Sequence, residues 1–428
     1  MNKERVGFHC AKIILLFLSC QLILLNLLHL SSQNQLPVNQ RFYSLDVFRG
    51  ATVCLMILVN NPGNWAHIYT PLDHAPWHGL TPTDLVFPFF LFAVGNALSF
   101  VMPKLEAAGD AFFWKKIITR SLLIFLIGLF LTWWPFVKWS SDHLVFRQWV
   151  DPENPQLGVR ILGVLARIAI CYFFASIIIY YLKARAAFYV GVVLLLLYWA
   201  LCFLLGDKSD PYSMNGWFGT ELVDKKILGI AHLYKGEGIP FDPEGVMSTM
   251  CAIVQVIFGY LVGDYIQKKG KNFEMLSGLF VAGVALLLTG FCWDMVFPIN
   301  KKIWTSSYTI YTTGLAIITI ATMIYMIEFK NIKGFLSRFF DVFGKNALFV
   351  FALSAFLPKG LALIRIANGV NAKGEPVYIN PWNWLYQKVL IYIPGDPKIG
   401  SLIYAICVIT LMWAICYWMD KKKIYVKV

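Results

Sequence analysis

The chain has 428 residues, of which 58% are hydrophobic and only 14% charged, too apolar a composition for an ordinary soluble domain. The formal net charge of +13 does not point to nucleic acid, because the basic residues lie in short clusters between apolar runs rather than in one patch. The pattern is that of a membrane protein setting its orientation in the bilayer.

The first apolar run, 13–31, is long enough to cross a hydrocarbon core of about 30 Å. Lys3, Arg5 and Lys12 would hold its start on the cytoplasmic side, yet the rest of the chain requires residues near Arg41 to be there too. An extra span with a short translocated tail, a leader and a surface segment are the alternatives, and the length favours a span. Ten further runs follow, at 44–62, 82–103, 112–137, 159–182, 186–206, 244–267, 273–294, 305–328, 338–357 and 398–419. The fold expected is an all-α polytopic membrane bundle of ten core helices plus the extra N-terminal one. The chain then divides into a hydrophobic segment, 1–36, and one membrane domain, 41–428.

Lysine and arginine set the orientation. Lys104, Lys115, Lys116 and Arg120 crowd one connection, and Lys183 with Arg185, Lys268 with Lys269 and Lys271, and Lys330 with Lys333 and Arg338 crowd three more. With the tail lysines Lys421, Lys422, Lys423 and Lys427 these mark the cytoplasmic face. The long connections 61–81, 138–158, 207–243 and 358–397 then lie outside, so the elaborated face is the outer one. In a bacterial-type cell this means an inner-membrane protein with a cytoplasmic C-terminus. Cys54, Cys171, Cys202, Cys251, Cys407 and Cys416 fall inside apolar runs as small packing residues, and no structural disulfide is expected.

Polar residues within spans are costly and invite a role. Asp46 and Arg49 share a helix face, either as a local ion pair or with Arg49 meeting an anionic ligand from the cytoplasm. Asn60 and Asn61 close that helix on the outer side. Arg160 and Arg167, two helical turns apart, should project from one side of their helix into a polar cavity or onto a carboxylate, with Asp84, Glu244 and Asp341 as candidates. Asn96, Ser306, Ser307 and Asn346 interrupt apolar runs, as interhelical hydrogen bonds or as the lining of a passage.

Most chemistry is carried by the outer loop Leu72-Asp73-His74-Ala75-Pro76-Trp77-His78-Gly79-Leu80-Thr81-Pro82-Thr83-Asp84, which runs directly into an apolar span. Imidazole moves protons near neutral pH, and Asp73 with Pro76 holds the backbone of His74 in place. A loop histidine is ordinarily a solvated or capping residue, and His67 is read that way. The His74-x-x-x-His78 spacing could in principle bind zinc, but Pro76 interrupts it and no glutamate accompanies it, so no metal is expected.

Several motifs now fall in order. They are Ser44-Leu45-Asp46-Val47-Phe48-Arg49-Gly50, Val59-Asn60, His74-Ala75-Pro76-Trp77-His78-Gly79, Asp84-Leu85-Val86-Phe87-Pro88 and the run Val159 to Arg167. His232-Leu233-Tyr234, Asp242-Pro243-Glu244-Gly245, Pro298-Ile299-Asn300-Lys301, Trp304 to Tyr308 and Gly344-Lys345-Asn346 complete the series. Over about 41–428 the chain resembles the heparan-alpha-glucosaminide N-acetyltransferase family of transmembrane acyltransferases. The resemblance implies transfer of acetyl from cytoplasmic acetyl-CoA to an amino sugar across the membrane, with the active histidine falling on His74 and its asparagine neighbour on Asn60. The chain departs from the animal members at His78, where they carry asparagine, at Lys345, and in lacking a large soluble region ahead of the first span.

Acyl transfer from a thioester needs a deprotonated nucleophile, donors for the developing oxyanion and exclusion of water. His74 could take a proton from the attacking amine, or carry the acetyl itself as an acyl-imidazole. Asn60 is the candidate oxyanion donor and Asp84 the orienter of the imidazole. Arg49, Arg160, Arg167, Ser307 and Asn346 are assigned to acetyl-CoA, and His78, Trp77 and Glu244 to an amino-sugar or other glycan acceptor. The CoA nucleotide would stay at the basic face while its arm threads the bundle. The partners expected are acetyl-CoA, the acceptor, the lipid bilayer and a second copy in a homodimer. An O-acetyltransferase of a surface glycan and a transporter without chemistry are the competing readings.

Overall fold

The computed structural model describes residues 42–140, 142–371 and 374–426, so the run at 13–31 and the segment 1–36 lie outside the described residues. Among the described residues, eight helices are long and apolar enough to cross a membrane, and a bent pair adds a ninth. In chain order they are α1 (Tyr43–Asn60), α2 (Val86–Ala108), α3 (Asp110–Trp133), α4 (Val164–Leu205), α5 (Thr249–Lys269), α6 (Phe273–Asp294), α7 (Ser306–Ile324, continued to Phe329), the pair α8 (Phe335–Lys345) and α9 (Ala347–Leu361), and α10 (Pro397–Lys421). The all-α bundle is as expected, and the chain is a multi-pass membrane protein.

Four boundaries differ from the sequence reading, each for a local reason. The run 159–182 becomes helical only at Val164. Arg160 therefore precedes the helix in extended chain, and it does not share a helical face with Arg167. Likewise α5 starts at Thr249, leaving Glu244 in a turn. The run 112–137 ends at Trp133, ahead of a hairpin. The run 338–357 is broken: at Asn346 the backbone leaves helical geometry (φ −127°, ψ 36°) and the two halves bend by 80°. The 42-residue α4 would be about twice the thickness of a bilayer core at 1.5 Å per residue, and non-helical geometry at Lys183 divides it where two spans, 159–182 and 186–206, were expected.

Burial separates a centre from a rim. α5 is enclosed along nearly its whole length, whereas α3 leaves Ile118, Leu122, Leu126 and Phe130 exposed at every fourth position. An apolar stripe on the outside is stable only against lipid, so α3 is a peripheral helix. Inside, glycines let helix backbones approach closely. A Cβ on Gly95 of α2 would lie 1.9 Å from the Val256 carbonyl oxygen of α5, and one on Gly259 of α5 would lie 2.1 Å from that of Phe92. Gly50 and Gly344 make a reciprocal pair in the same way, meeting Phe340 O and Asp46 O, and so lock α1 to α8.

Two antiparallel hairpins cap one end. β1 (Val137–Ser140) pairs with β2 (His143–Phe146), and β3 (Ile366–Val370) with β4 (Pro376–Ile379). Arg365 joins them, its guanidinium 3.7 Å from the Trp139 ring and 4.8 Å from that of Tyr378. This end also holds the loop 61–85 and is called the loop end; the other, where residues 424–426 return to Asn346, is the tail end.

Gly95→Ala should cost about 1–3 kcal/mol, because backbone must give way on both sides of the contact. Gly334→Ala, where an added Cβ meets nothing within 4 Å, should be neutral. Thermal melting of the two variants in detergent checks this; equal melting points would remove the close-approach argument.

Candidate active site

The site is built around the junction of the loop with α2. Thr81 and Asp84 form a capping box over the 3-10 turn Pro82–Leu85, which leads into α2. The Asp84 side chain is buried, and its Oδ2 accepts from the amides of Ala75 (3.1 Å) and Thr81 (3.0 Å), with the Thr81 hydroxyl also at 3.0 Å. Its Oδ1 lies 2.7 Å from His74 Nδ1. A carboxylate so placed only accepts, so the proton sits on Nδ1 and the His74 Nε2 carries the lone pair. The Asp73 side chain accepts from the His74 amide at 2.8 Å, which fixes the backbone beneath the ring. His74 remains exposed, while its orienter does not.

A second loop, 295–305, is stitched onto the first. The Gly79 amide donates to Ile299 O at 2.8 Å, His78 Nδ1 accepts from Asn300 Nδ2 at 3.3 Å, and Tyr308 at the start of α7 donates its hydroxyl to Asp84 O at 2.6 Å. Buried Asn300 holds this loop, its amide donating to Thr305 Oγ1 and its Oδ1 accepting from Ile303 N. The stitching delivers Lys301, whose Nζ is 3.0 Å from His74 Nδ1, 3.2 Å from Nε2 and 3.5 Å from Asp84 Oδ1. Burial lowers the Lys301 ammonium below the usual lysine value, although Asp84 and Glu244 oppose the shift. Partial burial also lowers the His78 imidazole, against Asp210 and Asp294.

Beside this group lies a buried ionic network. Arg160 grips Asp242 with two bonds (Nη2 to Oδ1 2.5 Å, Nε to Oδ2 3.0 Å), also pairs with Glu244, and sits 4.6 Å from the Tyr234 ring. Burial pushes the Glu244 carboxyl up, but the Arg160 and Arg167 charges hold it below the usual glutamate value. Arg167 is fully enclosed on the first turn of α4. It donates from Nη2 to Gly245 O (3.2 Å), contacts Ser248 Oγ and lies 5.0 Å from the Trp304 ring. Its Nε and Nη1 have no hydrogen-bond partner among the described residues. The partners of the two arginines thus come from one segment, 242–248. Of the carboxylates expected for them, Glu244 is found, Asp84 serves His74, and Asp341 pairs with Lys345 at 2.8 Å.

The residues assigned from sequence therefore divide. His74, Asp84, His78, Trp77, Glu244, Arg160, Arg167 and Ser307 gather at the loop end. Trp77 is anchored there by its indole N–H on Tyr212 O (2.9 Å), and buried Ser307 Oγ lies 3.1 Å from Thr305 Oγ1. Asn60 closes α1 with its side chain exposed, and no hydrogen bond joins it to His74 among the described residues. Arg49 and Asn346 are at the tail end. Arg49 pairs with Asp46 at 2.9 Å and donates from Nε to Gly344 O at 2.9 Å. Asn346 spends its side chain on the returning tail, bonding Ile424 O and Val426 N. Ser306 likewise donates to Leu195 O across helices. Beside Arg49 is a cavity of about 440 Å³ lined also by Asn96 and Arg120. Asn96 Nδ2 and Arg120 Nε are buried and have no hydrogen-bond partner among the described residues. Asn96 is twelve residues beyond Asp84, about 18 Å along the helix.

Two residues that the sequence reading did not single out as site members are Lys301 and Asp242. Their only signal was membership of the short motifs quoted above. No group of three or more His, Cys, Asp or Glu side chains is placed to hold a metal among the described residues, and the cysteines described are free.

Residues 41–222 match the family model described as heparan-alpha-glucosaminide N-acetyltransferase, catalytic. The chain is also similar to the heparan-alpha-glucosaminide N-acetyltransferase of Homo sapiens, 26% identical over 369 residues, and to that of Mus musculus, 25% identical over 371. These alignments cover 73% of this chain and 52% and 53% of the relatives. The chain spans about half the length of the curated relatives it matches. The segment matched to the heparan-alpha-glucosaminide N-acetyltransferase catalytic model carries Asn60, His74, Asp84, Arg160 and Arg167, while Glu244, Lys301 and Ser307 reach the same end from beyond it.

Arg160→Ala would leave the fully buried Asp242 facing Glu244 with its cation gone, at a cost of about 3 kcal/mol or more. A markedly lower melting point is expected, with Arg160→Lys intermediate. A second expectation concerns pH. Burial raises the Asp224 carboxyl to about 7, against the Val246 amide bond that favours the charge. Because the folded state holds this proton more tightly than the unfolded one, stability falls as pH rises from the ordinary carboxylate range to about 7. Asp224→Asn should remove that loss, so melting curves at pH 5 and pH 8 should differ less for the variant than for the parent.

Proposed function

We propose that this chain is a membrane-embedded acetyltransferase that moves acetyl from acetyl-CoA to the amino group of a glucosamine-type sugar, with His74 as general base. The observation that carries the reading is the His74–Asp84 pair, in a segment matched to a catalytic family model. A buried carboxylate fixes the tautomer of an exposed imidazole and leaves the Nε2 lone pair to take a proton from an incoming amine. The amine then attacks the thioester carbonyl, and His78, Trp77 and Glu244 line the approach of the acceptor.

Acetyl-CoA fits a donor that enters from the tail end, which the lysine and arginine distribution assigns to the cytoplasm of an inner membrane. The cavity beside Arg49, where Asn96 Nδ2 and Arg120 Nε have no hydrogen-bond acceptor among the described residues, suits the phosphorylated nucleotide. The pantetheine arm then has to follow α2 for the length separating Asn96 from Asp84. Arg160, Arg167 and Ser307, at the loop end, are too far along the bundle to share the nucleotide with Arg49. They belong instead with the acetyl group and the acceptor.

Purified protein incubated with labelled acetyl-CoA should acetylate glucosamine and leave N-acetylglucosamine untouched; label on the amine-blocked sugar would make it an O-acetyltransferase. His74→Ala should abolish transfer without lowering the melting point, and Asp84→Asn should reduce kcat by about 10²- to 10⁴-fold. Normal turnover by the His74→Ala protein would remove the assignment.

A further inference from the structure

Attack of an amine on a thioester gives His74 a proton to take, but the departing sulfur also needs one. An alkyl thiol ionises near pH 8.5, so a general acid of comparable strength lowers the barrier to C–S cleavage. Asp84 cannot supply that proton, since its oxygens are occupied as acceptors. The Arg160 guanidinium is taken by two carboxylates, and neither arginine can give up a proton at accessible pH. Lys302 is held by Glu237 at 2.5 Å.

Lys301 is placed differently. Its side chain is 19% exposed, and its Nζ lies 3.0 and 3.2 Å from the two ring nitrogens of His74. Nδ1 is committed to Asp84, so Nε2 is the nitrogen with which this amine can exchange a proton. We propose that Lys301 is a second catalytic residue, the general acid for the leaving thiolate, recharged directly by His74. The proposal rests on the acetyl-transfer reading above.

The atoms balance without a further reactant. The acceptor's free amine forms the C–N bond while its proton passes to His74 Nε2. The C–S bond breaks as a Lys301 Nζ proton passes to sulfur, giving the free thiol of CoA. His74 Nε2–H then returns its proton to the neutral Lys301 amine, and both groups regain their starting states. Burial of Lys301 supports this use, because it brings the ammonium closer to the strength of a thiol, with Asp84 and Glu244 opposing the shift.

The test compares Lys301→Arg with the parent enzyme, using acetyl-CoA and glucosamine. Arginine keeps a positive charge beside Asp84 and Glu244 but retains its proton at any assay pH. The relay predicts a fall in kcat of about 100-fold with little change in KM for acetyl-CoA. A fall of less than about tenfold would mean that charge alone suffices, and would overturn the proposal. Lys301→Ala gives a second measurement should the arginine variant fold poorly. Added methylamine should restore part of its glucosamine acetylation and added guanidinium should not; restoration by both or by neither counts against the relay. If the parent enzyme itself transfers no acetyl to glucosamine, the acetyltransferase reading fails first and this inference goes with it.

Discussion

The interaction on which the loop end depends is the burial of one carboxylate. Asp84 is enclosed where the chain turns into α2, a place where an unpaired charge would be untenable. It is stable there because the loop folds back to meet it, with the Ala75 and Thr81 amides on one oxygen and the His74 ring on the other. The loop is thus organised from within by the acid that orients its histidine. Removing the carboxylate would cost the imidazole its tautomer and the loop its centre together. The Tyr308 hydroxyl extends the arrangement by fixing the Asp84 carbonyl to α7.

A second constraint is that polar groups are confined to the ends of the bundle and to its interior seams. Glycine contacts draw α2 to α5 and α1 to α8, with few polar bonds beside them, such as Gln267 on Ser99 Oγ and Arg49 on Gly344 O, and several threonines of α7 are spent on their own helix, as with Thr309 on Thr305 O and Thr312 on Tyr308 O. Such bonds satisfy the hydroxyls within their own helix and leave the packing to dispersion. The ionic networks are separate: Arg160 with Asp242 and Glu244 at the loop end, Lys345 with Asp341 and Asp420 at the tail end. Any donor that binds by its phosphates at one end and reacts at the other has to be long and thin.

The spans and the His74 loop were legible in the sequence, because hydrophobic runs and a histidine-bearing polar segment leave strong local signals. What was not legible depends on contacts distant in sequence. Arg160 read as helical because an apolar run begins at Val159, but five residues of extended chain come first, and the partners that hold them, such as His232 O for the Ile161 amide, lie some seventy residues on. Asn346 read as one polar residue in a span, whereas the returning tail takes its side chain and the helix breaks there. Lys301 was hidden for a different reason. A lysine at the end of a span reads as an interface charge, and only the pairing of two loops, 222 residues apart at His78 and Asn300, turns it inward.

That pairing also explains how an exposed histidine can be positioned well enough for chemistry. A loop alone would leave the imidazole free to move, and misplacement of about 1 Å costs orders of magnitude in rate. Here each stitch ends on a rigid element. Asp84 opens α2, Tyr308 opens α7, and the Asp294 carboxylate, at the end of α6, receives the Ile299 amide at 2.5 Å. Three helices therefore hold the ring from different directions, and two of them are clamped by glycine contacts deeper in the bundle, Gly95 with α5 for α2 and Gly283 with α7 for α6. The placement of His74 is inherited from the packing of the membrane core, while its exposure is kept by the loop that carries it.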